Sequence, residues 1–154
     1  MGPTEMITFQ EEKFFSVWPE MEKLVHIHHA EIAYAQDLLK LNLNFDSYAA
    51  AEKAGKLCTL TVRREHRLVG YYIGFVNKHL HYKDALVGIN DVYYIHPLLR
   101  QGWTGVKMFV EAEKMLRARG AVLAIVGENV AHSVSPIFTR LNYDLVERMY
   151  WKRL

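Results

Sequence analysis

The sequence predicts an α/β (α+β) fold in which about four helices flank a mixed, mostly antiparallel central sheet. Two β-branched and aromatic runs, at residues 57–64 and 68–75, are separated by a three-residue turn, which is typical of an antiparallel pair. A strand at 84–96, an amphipathic helix at 105–119 and an apolar strand at 121–126 then follow one another. This order favours parallel pairing of the outer two segments across a right-handed helical crossover.

Length and composition predict one globular domain over residues 1–154. The chain is 51% apolar and 23% charged, and it contains no repeat or flexible linker. A net charge of +2 gives no reason to expect nucleic acid as a partner. No apolar run reaches the roughly 20 residues of a membrane span, and no signal peptide is evident. With a single cysteine, Cys58, the chain is expected in the reducing cytoplasm.

The first elements are an edge strand and two helices. Residues 1–5 are predicted to form a short unstructured lead, followed by an alternating strand at 7–11. Pro19 suits a first helical position, and apolar residues then recur at spacings of three and four to about Leu39. A second, short helix is expected between Asp46, as its cap, and Gly55, as its stop.

The last elements continue the alternation of strands and helices. Pro97 ends the strand at 84–96 because its nitrogen cannot donate to a ladder. Residues 121–126 are wholly apolar, which predicts a strand buried on both faces. A helix from 132 or 135 to 141 and a final strand at 145–154 complete the chain.

The informative segment is the loop between the strand at 84–96 and the helix at 105–119. It contains Arg100, Gly102 and Gly105. Main-chain amides of such a loop converge at the positive end of the following helix and bind phosphate. The two glycines allow close approach of a ligand, and Arg100 adds positive charge. An ordinary strand-to-helix turn is the alternative interpretation.

This segment resembles the diphosphate-binding signature of the GNAT superfamily of N-acetyltransferases, which has Arg or Gln, two residues, Gly, one residue, and Gly or Ala. Arg100 and Gly105 stand at the outer positions, whereas Trp103 replaces the usual first glycine and Gly102 lies one residue earlier. The closing pattern of the family is matched by Val126, Asn129, Ile137, Phe138, Leu141, Asn142 and Tyr143.

The resemblance implies a GNAT-like acyltransferase domain with acetyl-CoA as co-substrate and a primary amine as acceptor. In that interpretation Asn129 and the end of the strand hold the pantetheine arm. The residues implied in binding acetyl-CoA are Tyr93, Tyr94, Ile95, Arg100, Gln101, Gly102, Trp103, Thr104, Gly105, Val106, Asn129 and Phe138. No metal is expected, because His28 and His29 are adjacent on a helix and face different ways.

Amine acylation needs a base, an oxyanion donor and an acid. Asp91 is the first choice as base, with a carboxyl pKa raised by burial; Glu128 and His96 are alternatives. An amide near Ile95 is the expected oxyanion donor. The position of the family's acidic tyrosine is Phe138, so the acid is expected to be Ser133, His132, Tyr143 or solvent. Cys58 is too remote for a covalent route.

Several functional alternatives stay open at this stage. Trp103 and Phe138 motivate a catalytically inactive CoA-binding or interaction module as the rival function. The acceptor is unidentified, but the composition indicates an aromatic-rich groove without the acidic cluster of a polycation site. In each of the pairs Tyr71 with Tyr72 and Tyr93 with Tyr94, one ring is expected in the core. A longer acyl donor and a homodimer paired through residues 145–154 are further possibilities.

Overall fold

The computed structural model describes residues 5–154. Residues 1–4 of the expected lead lie outside that range. The helices and strands, named in chain order, are β1 Ile7–Glu11, α1 Phe14–Ile32, α2 Phe45–Lys53, β2 Leu57–Arg64, β3 Arg67–Lys78, β4 Leu86–Ile95, α3 Thr104–Ala118, β5 Ala121–Ile125 and α4 Ser135–Arg140.

The strands form a single sheet in the order β1-β2-β3-β4-β5. The first four pair antiparallel, and β5 pairs parallel with β4 after the α3 crossover. This confirms the predicted mixed sheet and its one parallel pair. The β2–β3 turn places Glu65 at φ 47° and His66 at φ 70°, the left-handed pair that suits a tight hairpin.

The sheet has two covered faces of different composition. Helix α3 packs on one, called here the α3 face, and helices α1 and α2 pack on the other, called the α1 face. The buried side chains of the α3 face are Cys58, Leu60, Val62, Val69, Tyr72, Val76, Ile95, Met108, Phe109, Ala112, Met115 and Leu116. Those of the α1 face are Phe14, Val17, Met21, Leu57, Leu68, Tyr71, Ile73 and Tyr94.

The predicted bounds of the first helix were wrong at both ends. It begins at Phe14, so that Pro19 lies inside it, and it ends at Ile32 and not near Leu39. The early start is explained by the burial of Phe14, Val17 and Met21 on one side of the helix. The early end follows from the extended backbone of Ala33 and the positive φ of Ala35.

The short second helix is confirmed, with a different cap. The Asn44 side chain accepts a hydrogen bond from the Ser47 amide at 3.1 Å, while Asp46 lies in the first turn, where its charge suits the helix dipole. Gly55, at φ 71°, follows the helix as predicted.

Two expectations for the end of the chain were wrong. Strand β5 is not buried on both faces: Val122 is 69% exposed and Leu123 58% exposed, because β5 is the edge strand of the sheet. Residues 145–154 form no strand, since they pair with no edge within the described chain. They are held by the ion pair of Arg153 with Asp37 and by packing of Trp151 on Tyr34.

None of the helices in residues 5–154 is long and apolar enough to cross a lipid bilayer.

Candidate functional site

Strands β4 and β5 separate near the middle of β4. Their last paired residues are Ile89 and Ile125. Beyond them, side chains of β4 bridge the gap: the Gly127 amide donates to Asn90 Oδ1 at 2.9 Å, and the Tyr93 hydroxyl donates to the Gly127 carbonyl at 2.8 Å. The edge of β4 that faces β5 is therefore without a strand partner after Ile89, and its main-chain groups are available to a ligand, apart from the Ile95 carbonyl, which accepts from Arg100.

Asp91 occupies a β-bulge at the start of this gap. In the pairing of β3 with β4, Ile73 opposes Val92 and Gly74 opposes Asn90, so Asp91 is the extra residue. Its side chain is exposed, contrary to the expected burial. The Tyr48 hydroxyl donates a short hydrogen bond to Asp91 Oδ2. The bulge thus presents a carboxylate, held by one donor, at the mouth of the gap.

The loop before α3 is open at the positive end of the helix. Gly102 has φ 85°, and a Cβ placed there would meet nothing within 4 Å. Within residues 5–154, the main-chain amides of residues 101–106 have no hydrogen-bond acceptor. The first turn of α3 contains no acidic residue. These are the properties of an anion site, and they fit a diphosphate.

Trp103 does not close this turn. Its side chain is 57% exposed, and its ring lies under the Arg140 guanidinium at 4.5 Å. Gly105 has a packing role, because a Cβ at this position would lie 2.8 Å from Ile137 Cδ1. The replacement of the usual glycine by Trp103 therefore does not close the turn over its amides.

Arg100 points away from the turn and is already paired. Its Nε donates to the Ile95 carbonyl at 2.8 Å, and its Nη2 donates to both carboxylate oxygens of Glu31, at 3.1 and 2.8 Å. The guanidinium also lies 5.4 Å from the centre of the Tyr94 ring. The positive charge expected from Arg100 is therefore balanced inside the protein, and the amides remain as the phosphate donors.

The opposite side of the gap is formed by residues 128–133. Asn129 Nδ2 donates to the Ile32 carbonyl at 3.2 Å, and its Oδ1 accepts from the Ala131 amide at 2.9 Å. His132 Nε2 lies 3.2 Å from the Glu31 carbonyl. Since Glu31 also binds Arg100, the end of α1 connects the two sides of the gap.

The candidate acids and bases lie in different surroundings. Ser133 Oγ donates to Glu128 at 3.0 Å, so two of the predicted candidates are bonded to each other. His96 accepts the Leu98 amide and caps the turn after β4. Burial raises the pKa of the Tyr143 phenol. The sequence did not decide between the candidate acids. In the structure, Ser133 and His132 lie on the same side of the gap.

Three other predicted residues lie in or beside the apolar core. Phe138 packs edge-on to Phe109, with ring centres 5.1 Å apart. Tyr94 is buried on the α1 face, although its main chain belongs to β4. Cys58 is buried among the apolar residues of the α3 face, where burial raises its thiol pKa to about 11.

Among residues 5–154 there is no cluster of His, Cys, Asp and Glu that could hold a metal ion.

A cavity of about 140 Å³ lies on the α1 face next to Asp91, and we call it the aromatic cavity. It is lined by Phe14, Trp18, Met21, Val25, His28, His29, Ile32, Leu41, Leu43, Tyr48, Tyr71, Ile73, Asp91 and Val92. His28 Nδ1 is 3.0 Å from the Tyr71 hydroxyl. Burial lowers the pKa of His28 to about 4, which leaves its imidazole neutral at pH 7.

Sequence reasoning missed Glu31, Tyr48 and the pairing of His28 with Tyr71. For the pair Tyr71 and Tyr72, the sequence predicted that one ring lies in the core. Tyr72 lies in the apolar core of the α3 face, and Tyr71 lines the aromatic cavity. No signal in the sequence links Tyr48 to Asp91, because 43 residues separate them.

Solved structures share this architecture over almost the whole chain. An aminoglycoside acetyltransferase from an uncultured soil metagenomic sample has a TM-score of 0.72 at 10% identity, with 97% of this chain and 99% of that chain covered. The aminoglycoside N-acetyltransferase AAC(6')-Iy in complex with CoA has a TM-score of 0.71 at 11% identity, covering 100% and 98%. A ribosomal-protein-alanine N-acetyltransferase from Brucella melitensis gives 0.71 at 12%, covering 97% and 99%.

No profile of a known protein family matches the chain, and neither does any curated protein sequence. The fold and the gap between β4 and β5 define a mixed α/β protein of the acetyltransferase architecture. More specifically, the chain has the GNAT fold, which confirms the fold expected from the sequence. At 10–12% identity, this likeness concerns the fold alone.

Proposed function

We propose that this chain transfers an acetyl group from acetyl-CoA to a primary amine, by direct attack in a ternary complex. The observation that carries the proposal is the open gap between β4 and β5, which leads to a turn whose amides at residues 101–106 have no acceptor within the described chain. A solved structure of the same fold contains CoA, which supports this donor. Acetyl-CoA supplies the activated acyl group, and the protein positions it.

Different residues of this chain bind different parts of acetyl-CoA. The amides of 101–106, at the positive end of α3, bind the diphosphate. The edge of β4 that faces β5 from Tyr93 to Ile95, apart from the Ile95 carbonyl that accepts from Arg100, binds the amide groups of the pantetheine arm. Asn129 fixes the opposite side of the gap through its bond to Ile32. Phe138 supports Tyr93 and Phe109 from the core.

Transfer then requires removal of two protons from the ammonium group of the acceptor and delivery of one proton to the departing thiolate. Asp91 accepts a proton from the ammonium group of the acceptor, and the neutral amine attacks the thioester carbonyl carbon. The resulting oxyanion is stabilised by a main-chain amide near Ile95. When the tetrahedral intermediate collapses, the carbon–sulfur bond breaks and the thiolate leaves with the electron pair. The amide product loses its second proton to solvent.

The thiolate is protonated from the side of the gap formed by residues 128–133. We assign this to Ser133 or His132, because Phe138 has no proton to donate. Comparison of Ser133→Ala with Ser135→Ala provides a matched test, since the two hydroxyls are 3.1 Å apart and only Ser133 donates to Glu128. A lower kcat in Ser133→Ala alone assigns the serine, and equal kcat values leave His132 or solvent as the donor.

Calorimetry with acetyl-CoA and a free-thiol assay with a panel of amines test the proposed function. Binding together with amine-dependent thiol release supports the transferase. Binding without release from any amine supports the inactive CoA-binding module, which the absence of a hydroxyl at the core residue Phe138 favours. Absence of acetyl-CoA binding at millimolar concentration would contradict the transferase and favour the interaction module.

The homodimer stays a prediction of the sequence. Residues 145–154 contain several exposed apolar side chains, among them Leu145, Val146, Met149 and Tyr150. The open edge of β5 exposes Val122 and Leu123. We propose that these surfaces meet in a second copy of the chain, and light scattering of the intact protein measures the molar mass. A monomeric mass across micromolar concentrations would contradict the proposal.

A further inference from the structure

The aromatic cavity has one wall of stacked rings. Phe14 stacks on Tyr48 with ring centres 4.6 Å apart and planes 2° apart, and on Trp18 at 5.6 Å and 28°. Phe14 is fully buried, so this stack is held in place by the core. Met21 and Ile73, also buried, contribute aliphatic surface. Such a wall favours a compact apolar body, and the faces of its rings attract a cation.

The volume limits the size of that body. The cavity measures about 140 Å³. A cavity of about 150 Å³ lined by apolar side chains accommodates one benzene molecule. A single six-membered ring therefore fits the aromatic cavity, whereas a chain of linked sugar rings exceeds it.

The charged residues that line the aromatic cavity limit the number of amino groups on a ligand that binds there. The lining contains one carboxylate, Asp91, and neither Lys nor Arg. Tyr48 occupies Asp91 Oδ2, while Oδ1 has no donor within residues 5–154. His28 is neutral at pH 7, so it does not repel a cation. Asp91 thus balances the charge of one ammonium group. Each further ammonium group in the cavity would lose its hydration and would find no carboxylate there to bind.

Resting on the proposed function, we propose that the acceptor is a small monoamine with one compact ring, an arylalkylamine or a cycloalkyl-alkylamine. The aromatic cavity binds the ring, and Asp91 binds the ammonium at the gap between β4 and β5. This class differs from the aminoglycosides named for several proteins of the same fold, which carry several ammonium groups.

An amine panel tests the class directly. We expect the kcat/KM for 2-phenylethylamine and cyclohexylmethylamine to exceed that for spermidine and sisomicin by at least about 10-fold, because the ring is buried and the single charge is matched. A higher kcat/KM for spermidine or sisomicin would overturn the proposal and leave the transferase function standing.

One variant and a matched control locate the binding site. Val25→Phe places a ring in the cavity and is expected to raise the KM for 2-phenylethylamine at least about 10-fold, with the KM for acetyl-CoA unchanged. Ethylamine, which has no ring, is the insensitive substrate. Glu22→Gln is the control, because Glu22 lines a second cavity that shares Trp18 and Val25 but excludes Asp91. Equal KM values for 2-phenylethylamine in Val25→Phe and the unmodified chain would overturn the site.

A binding measurement separates this proposal from the proposed function. Saturation-transfer NMR with 2-phenylethylamine, in the presence of CoA, detects ring contact without any chemistry. If the ring signal appears and Val25→Phe abolishes it, the cavity assignment holds even when no thiol is released. If the ring signal is absent while thiol is released from other amines, the cavity assignment is wrong and the transferase function holds. Absence of both contradicts both.

Discussion

Strand β2 shows how the two faces of the sheet differ, because its alternate residues face opposite layers. Cys58, Leu60 and Val62 enter the α3 face, where all the buried residues of the cluster are apolar or, like Tyr72, aromatic. Thr61 and Arg63, on the other side, are equally buried but polar. The α3 face is thus a packed core that positions the loop before α3. The α1 face combines packing with ionisable groups and a cavity.

Arg63 of the α1 face is paired on several sides. Arg63 donates to Glu12 at 3.0 Å, to Glu20 at 2.9 Å and to the His66 carbonyl at 2.8 Å. Such pairing is needed because a buried guanidinium without partners would be strongly destabilising. On the proposed function, donor binding would depend on backbone supported by the α3 face, whereas acceptor binding would depend on side chains of the α1 face.

The largest expected effect comes from Asp91. In Asp91→Asn, kcat/KM is expected to fall about 100-fold or more, because a positioned base contributes on the order of 10²–10⁴. The free energy of unfolding should change by less than about 0.5 kcal/mol, since the side chain is exposed. Asp84→Asn, an exposed residue before β4, is the control for loss of charge. A wild-type rate in Asp91→Asn would remove the base assignment, and rate loss accompanied by unfolding would make Asp91 structural.

A pair of truncations compares the stability of the two faces. Met108→Ala removes a fully buried side chain of the α3 face and is expected to lower the free energy of unfolding by about 2–5 kcal/mol. Val25→Ala enlarges the aromatic cavity from a half-buried position, and its expected cost is about 1 kcal/mol or less. Urea denaturation measures both. Equal losses would contradict the difference between a packed core and a binding surface.

The α1 face should also respond to pH through His28. Burial lowers its pKa from 6.5 to about 4 in the folded protein, against the opposing effect of Glu31; Arg100, His29 and His132 lower it further. Between these values the unfolded chain binds a proton that the folded chain does not. Stability is therefore expected to fall as pH decreases from about 6.5 to about 4.

His28→Gln isolates this contribution. Chemical denaturation at pH 7.5, 6, 5 and 4.5 should show a smaller loss of stability in the variant than in the unmodified chain. His26→Gln, an exposed residue of the same helix, is the control for loss of an imidazole. An unchanged pH dependence in His28→Gln would show that His28 does not stay neutral in the folded protein.

The features that the sequence predicted are those that depend on local pattern. The β-branched and aromatic composition of residues 57–64 and the apolar stripe of the helix before Gly120 predicted β2 and α3 nearly residue for residue. The strand, helix and strand around the loop predicted the parallel pair. The strand predicted at residues 145–154 was wrong, because a strand needs a neighbouring edge to pair its main-chain groups.

The binding features that were missed depend on contacts between distant segments. His28 meets Tyr71, and Tyr48 meets Asp91, each across 43 residues of sequence. The pairing of Arg100 with Glu31 spans 69 residues and reversed the expected orientation of that charge. The open amides of the loop before α3 could be predicted, because nearby glycines and the start of a helix define them locally. The aromatic cavity could not, because it forms only when α1, α2, β3 and β4 pack together.

The smallest expected effect tests the donor side alone. Gly102 has a positive φ and open space around a Cβ, so Gly102→Ala costs only the backbone conformation, about 1–2 kcal/mol. We expect the Kd for acetyl-CoA to rise about 5-fold as the turn shifts, with 2-phenylethylamine binding unchanged. Gly102→Asn is the matched control, since Asn tolerates this conformation and should retain the Kd. If Gly102→Ala weakened the amine and spared acetyl-CoA, the assignment of one ligand to each face would be reversed.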